Sequence, residues 1–159
     1  MDTKARDARR IRGKLTRALA GVRDAAPGAD VLVVGYPLLM PERGSCAAAG
    51  LTAADAVWAS RIGVLLNRSI ERAAVANGAT FVDVSRASRG HDVCAGPDAW
   101  VNGRRDRPER ALSFHPFQEG MAGIARIVAE AATGEKLPRL TGDAEPPDGS
   151  IVRATPLPS

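Results

Sequence analysis

Ala29-Asp30-Val31-Leu32-Val33-Val34-Gly35-Tyr36-Pro37 is the stretch on which the fold turns. Four apolar, mostly β-branched residues stand together between Gly28 on one side and Gly35 and Pro37 on the other. The run is too short for a helix and does not alternate with polar residues, so it reads as a strand buried on both faces, as strands of parallel sheets are. A second run, Thr80-Phe81-Val82-Asp83-Val84, predicts another strand. Between them Pro37 to Leu51 reads as a loop long enough to carry function. Thr52 then offers a capping hydroxyl and Asp55 an acidic first turn, where the helix dipole favours it. Val57, Ile62, Leu65, Leu66, Ile70 and Ala73 continue a helical stripe to Asn77-Gly78, which suits a left-handed cap. Strand, helix, strand is the right-handed crossover that makes two strands parallel.

Outward from this unit the pattern repeats. Ile11, Leu15, Leu19 and Val22 recur at steps of four, four and three, which predicts an amphipathic helix over 3–25 that ends near Pro27-Gly28. Residues 85–110 look irregular, punctuated by Gly90, Gly96, Pro97, Gly103 and Pro108 and containing Trp100. Met121, Ile124, Val128 and Ala131 predict a last helix over 117–133, with Pro116 suited to its first turn and Gly134 at its end. The class is α/β, with sites expected at the carboxyl ends of the strands. Two strands make a narrow sheet, which implies that further strands belong beside it.

A chain of 159 residues, 45% hydrophobic but only 4% aromatic, suffices for one domain whose core is aliphatic. Residues 1–136 are read as that domain. Residues 137–159 hold Pro138, Pro146, Pro147, Pro156 and Pro158 and are expected to be disordered, so that their removal changes stability little. The formal charge is +4, with Lys4, Arg6, Arg9, Arg10, Arg12, Lys14, Arg17 and Arg23 concentrated in the first helix. Without interleaved aromatics this reads as a solvated face and not as a specific nucleic-acid partner. No apolar run approaches the ~20 residues of a membrane span, and the start of the chain has no signal-peptide core, so as given it reads as cytoplasmic. Cys46 and Cys94 fit either one disulfide or two thiols. His91, His115, Asp83 and the cysteines lack metal-ligand spacing, and neither a metal nor a cofactor is expected.

Four stretches in this order resemble the C-terminal half of actinobacterial secreted SGNH (GDSL-like) esterases and lipases: Val33-Val34-Gly35-Tyr36-Pro37, Gly90-His91-Asp92-Val93-Cys94, Trp100-Val101-Asn102-Gly103, and Ser113-Phe114-His115-Pro116 leading to Gly120. The similarity runs over about residues 8–133. It implies part of a three-layer α/β/α, flavodoxin-like fold, a secreted protein and ester substrates. In that family a serine near the N-terminus attacks the ester, a glycine N–H and an asparagine side chain hold the oxyanion, and a histidine before the last helix is the general base. Only His115 of that set is matched here.

An imidazole at a loop-to-helix junction suits the role, since it takes and returns protons near neutral pH. Many members place an aspartate three residues earlier, where this chain has Leu112. The resemblance then implies that the Leu112 backbone carbonyl orients His115, with Asp106 and Glu109 as substitutes. Phe117 stands where an asparagine is common. The family's cysteines pair, which implies a Cys46–Cys94 disulfide. Ser45, Ser60, Ser69, Ser85, Ser88 and Ser113 lack the Gly-Asp-Ser context, so the nucleophile segment is expected outside this chain and the isolated chain is expected to be inactive. Two other readings stand beside the hydrolase: a non-catalytic remnant that pairs with the missing half or another chain at its sheet edge, and, less favoured, a basic nucleic-acid-binding protein.

Overall fold

The computed structural model describes residues 2–137. The expected tail therefore lies outside the described residues except for Leu137. Helix α1 spans Thr3–Ala25 and is capped by Asp2, whose carboxylate accepts the backbone N–H groups of Lys4 and Ala5 at 2.9 and 3.3 Å. The Trp58 indole N–H donates to the other Asp2 oxygen and ties the start of α1 to its neighbour. That bond, followed by the two backbone N–H groups, holds the Asp2 carboxyl below its ordinary value of 3.8.

Strand β1, Leu32–Val34, and strand β2, Thr80–Val82, pair in parallel with Leu32 opposite Thr80, Val33 opposite Phe81 and Val34 opposite Val82. Flanking bonds from Thr80 N–H to the Val31 carbonyl and from Gly35 N–H to the Val82 carbonyl extend the ladder at both ends. Helix α2, Ala53–Ala76, is the crossover. Thr52 caps it through the Asp55 N–H at 3.1 Å, and Gly78 follows in the left-handed region at φ 66°. The α/β class and the parallel pairing are as expected.

Helix α2 approaches closely because Ala56, Ser60, Ala73 and Ala74 are small and buried. Buried Asn67 grips the exit of β1: its Oδ1 accepts the Tyr36 N–H and its Nδ2 donates to the Tyr36 carbonyl, both at 2.8 Å. Gly35 has to be glycine at this crossing, since a Cβ there would sit 2.9 Å from the Phe81 ring and 3.1 Å from Asn67 Oδ1. Val34 and Tyr36 stay exposed, and among the described residues the sheet has no third strand.

Strand β2 is shorter than expected because Asp83 leaves the ladder to cap a one-turn helix α3, Val84–Ala87, through the Ser85 and Arg86 N–H groups. A 3-10 turn, Gly96–Asp98, follows within the irregular stretch. Helix α4, Gln118–Thr133, begins one residue later than expected; Phe117 is its cap residue and Pro116 precedes it. Helices α2 and α4 both pack on the strands, and α1 packs on α2. Gly120 and Gly123 of α4 make room for Trp100, whose carbonyl and ring would collide with any Cβ at those positions.

A buried hydrophobic cluster lies in the loops that follow the two strands. Met40, Ala49, Val93 and Val101 are buried together, with Leu39, Ala59 and both cysteines against them. Cys46 and Cys94 form a disulfide with their Cα atoms 5.6 Å apart, within the span such a bond requires. The loop after β1 and the long segment after β2 also join through Val93 N–H to the Leu39 carbonyl, Arg104 N–H to the Ala48 carbonyl, and the buried Ser88 hydroxyl, which accepts the Leu38 N–H at 2.7 Å.

Candidate active site

Trp100–Gly103 and Ser113–Phe117 lie side by side. Phe117 N–H donates to the Trp100 carbonyl, Asn102 N–H to the His115 carbonyl and Phe114 N–H to the Gly103 carbonyl, with an antiparallel bridge between Val101 and Pro116. Two of the four quoted motifs thus pair directly and present His115 at the entry to α4.

Asn102 secures this arrangement. Its side chain is 1% exposed, and its amide nitrogen faces the carbonyls of Arg105, Ala111 and Leu112 at 2.8, 2.8 and 3.1 Å. Its amide oxygen accepts the Gly103 N–H at 2.9 Å. One buried amide therefore gathers the whole excursion from 103 to 112 under the histidine. Asp106 adds an outer brace by accepting the Ser113 N–H at 2.7 Å.

The His115 imidazole is exposed, with Nδ1 2.9 Å from the Ser113 carbonyl. A carbonyl can only accept, so this bond puts the proton on Nδ1 and leaves Nε2 free to receive one. The Leu112 carbonyl is occupied otherwise: it accepts the backbone N–H of His115 at 3.1 Å and faces the Asn102 amide. The carbonyl that meets the ring is one residue further on than Leu112. The cause is Phe114, the one non-glycine residue with positive φ among those described, at 57°. A left-handed aromatic residue costs about 1–2 kcal/mol and reverses the chain immediately before the histidine.

Phe114 also helps wall an apolar cleft of about 370 Å³, with Tyr36, Pro37 and Leu38 from the exit of β1 and Val64 and Leu66 from α2. The cleft thus starts at the carboxyl end of β1 and reaches the residue beside the imidazole.

No hydroxyl among the described residues hydrogen-bonds to His115. Ser45, Ser69 and Ser88 donate to the carbonyls of Leu51, Leu65 and Ser85, and Ser85 donates to Asp83. His91 lies elsewhere in the loops, stacked on Trp100 with ring centroids 4.6 Å apart and Nδ1 2.6 Å from the Asp98 carbonyl. Among the described residues no three His, Cys, Asp or Glu side chains gather as a metal site would need. Asn102 stood in a quoted motif without a role of its own. Its signal was an Asn-Gly pair inside an irregular stretch, and the carbonyls it serves become neighbours only once the loop has closed.

No protein-family model matches the chain. Lipase 2 of Streptomyces coelicolor is 42% identical over 91 residues, 55% of this chain and 31% of that protein. Lipase 1 of the same organism is 30% identical over 116 residues, 70% of this chain and 40% of that protein. Among solved structures, phospholipase A1 from Streptomyces albidoflavus superposes with a TM-score of 0.68 at 31% identity, over 76% of this chain and 50% of its own. The extracellular lipase from Streptomyces rimosus superposes with a TM-score of 0.68 at 28% identity, over 77% of this chain and 50% of its own. In sequence and in fold the chain is a relative of the Streptomyces lipases, and it spans half or less of the length of those it matches.

Proposed function

We propose that this chain supplies the general-base half of a carboxylic-ester hydrolase of the SGNH type, with His115 as the base and the nucleophilic serine on a segment outside these 159 residues. The observation that carries the reading is the imidazole held through Nδ1 on the Ser113 carbonyl, which leaves Nε2 free, while the preceding residue, Phe114, walls an apolar cleft. In the complete site Nε2 takes the proton from the serine as its oxygen attacks the ester carbonyl. It then returns that proton to the departing alcohol, and the acyl-serine is hydrolysed in the reverse sense. The cleft suits the acyl chain of a lipid ester, in keeping with the lipases that the chain resembles. The orienting role foreseen for the Leu112 carbonyl passes to Ser113, while Leu112 holds the backbone of the same turn.

The free edge of β1, which pairs with β2 alone among the described residues, supports the placement of further strands, and with them the serine, next to β1. Residues 1–136 then form one part of a larger domain. The Cys46–Cys94 bond, together with the extracellular relative from S. rimosus, supports function in an oxidising compartment outside the cell.

Turnover of p-nitrophenyl acetate tests the reading. The 159-residue chain should match its own His115→Ala variant, because a base without nucleophile and oxyanion donors has little to accelerate. Restoring a Gly-Asp-Ser-bearing N-terminal half should create activity that His115→Ala abolishes. His115-dependent turnover by the chain alone would overturn the division of the site.

A further inference from the structure

Among the described residues the basic outer face of α1 makes no ion pair. Between Thr3 and Ala25 eight basic residues stand against Asp7 and Asp24, a net of +6, whereas the whole chain carries +4, so the remaining residues sum to −2. At about 100° per residue, Arg6, Arg10, Lys14 and Arg17 fall on the side opposite the stripe of Ala8, Ile11, Leu15 and Leu19, and all four are exposed. The ion pairs among the described residues engage Arg89, Arg110 and Arg126, and none engages α1.

The charge is also placed at one end. Asp2 meets Trp58 near the start of α2, and Arg23 donates to the Asn77 carbonyl at its finish, so α1 and α2 run side by side in one direction. Just before α2, the Ala48 carbonyl accepts the Arg104 N–H in the loop that leads to His115. Six of the eight basic residues lie between Lys4 and Lys14, in the half of α1 nearest those loops.

We infer that this face of α1 docks the protein on an anionic lipid surface. A helix with a basic outer face is drawn to a negatively charged bilayer by roughly fivefold in affinity for each Lys or Arg that reaches it, an effect that salt screens. Nucleic acid fits the face less well, because α1 carries no aromatic residue on which a base could stack. The surface contact brings lipid to the end of the molecule that holds the apolar cleft. That purpose rests on the ester-hydrolase reading; the binding itself does not, and it is measured without turnover.

The test is co-sedimentation of the chain with phosphatidylcholine vesicles that contain, or lack, about a third of phosphatidylglycerol. Binding should require the anionic lipid and weaken steeply with added salt. An Arg6→Gln, Arg10→Gln, Arg17→Gln variant should lose on the order of a hundredfold in partition at low salt. An Arg61→Gln, Arg68→Gln, Arg72→Gln variant, with the same change of net charge on exposed positions of α2, should lose no more than about threefold. Equal losses in both variants would reduce the effect to net charge and overturn the proposal. So would indifference to the anionic lipid, binding that salt does not weaken, or tighter binding to an oligonucleotide than to the vesicles at the same salt.

Discussion

Replacing Asn102 by alanine should unhinge the turn that carries His115. The side chain is 1% exposed and serves four backbone groups: the carbonyls of Arg105, Ala111 and Leu112 and the Gly103 N–H. A buried group left unpaired costs about 1–3 kcal/mol. The Gly103 N–H and the two carbonyls at 2.8 Å then sum to several kcal/mol, part of which is recovered where the loop opens to water. A net loss of about 3–5 kcal/mol is a large fraction of the stability of a domain. For a chain of this size it should lower the melting temperature by roughly 6–20 °C. Thermal unfolding followed by circular dichroism measures the loss, and amide exchange at Asn102 and Phe114, whose N–H groups cross the same seam, locates it. Asn102→Asp refines the test, since a carboxylate still accepts from Gly103 but faces three carbonyls with no proton to give. It should be about as damaging at neutral pH and partly rescued in acid, where the carboxyl is protonated. If Asn102→Ala melts within about 3 °C of the parent and exchange at these amides does not change, the amide does not hold the turn.

Reduction of the Cys46–Cys94 bond, or its replacement by a Ser pair, should cost about 4 kcal/mol for a separation of 48 residues; denaturant unfolding with and without reductant reads the change, and equal midpoints would mean that the loops hold together without it. Gly35→Ala should destabilise by about 1–3 kcal/mol, because the new methyl group meets Phe81 and Asn67 where β1 leaves the sheet, and a melting curve that superposes on the parent's would count against this packing. Trp58→Phe removes the indole donor to Asp2 and should raise the Asp2 carboxyl toward its ordinary value. Because that carboxyl is depressed in the folded state, its contribution is present above the unfolded-state value of 3.8 and fades as the pH falls through the folded value. Indole fluorescence of a Trp100→Phe background should therefore titrate below pH 3.8, and a flat trace across the acid range would contradict the tether.

Much of the scaffold was legible because it follows local rules. The step pattern of Ile11, Leu15 and Leu19 marked α1, and Thr52 with Asp55 marked the start of α2, because periodicity and capping are written within a few residues of one another. Helix α3 escaped notice because it is a single turn, made by Asp83 folding back as a cap where a β-rich run would continue as strand. The site was legible in outline only. His115 and Cys94 stood in recognisable motifs, but the shift of the ring's partner from Leu112 to Ser113 depends on the left-handed Phe114, which no pattern in the residue types announces. Asn102 acts on carbonyls three, nine and ten residues downstream, a relation that exists only after the chain has turned.

As proposed, His115 activates a serine on a segment outside these 159 residues. A fluorophosphonate reacts with a serine only when a neighbouring base has made it nucleophilic, so its adducts, mapped by mass spectrometry, report the pair directly. The 159-residue chain alone should remain unlabelled. The protein with its N-terminal half restored should carry one adduct, on a serine in that half, and His115→Ala should abolish it. An adduct on Ser113 or any other serine of this chain, or labelling of the restored protein that persists in His115→Ala, would show that His115 does not activate a serine from the other half.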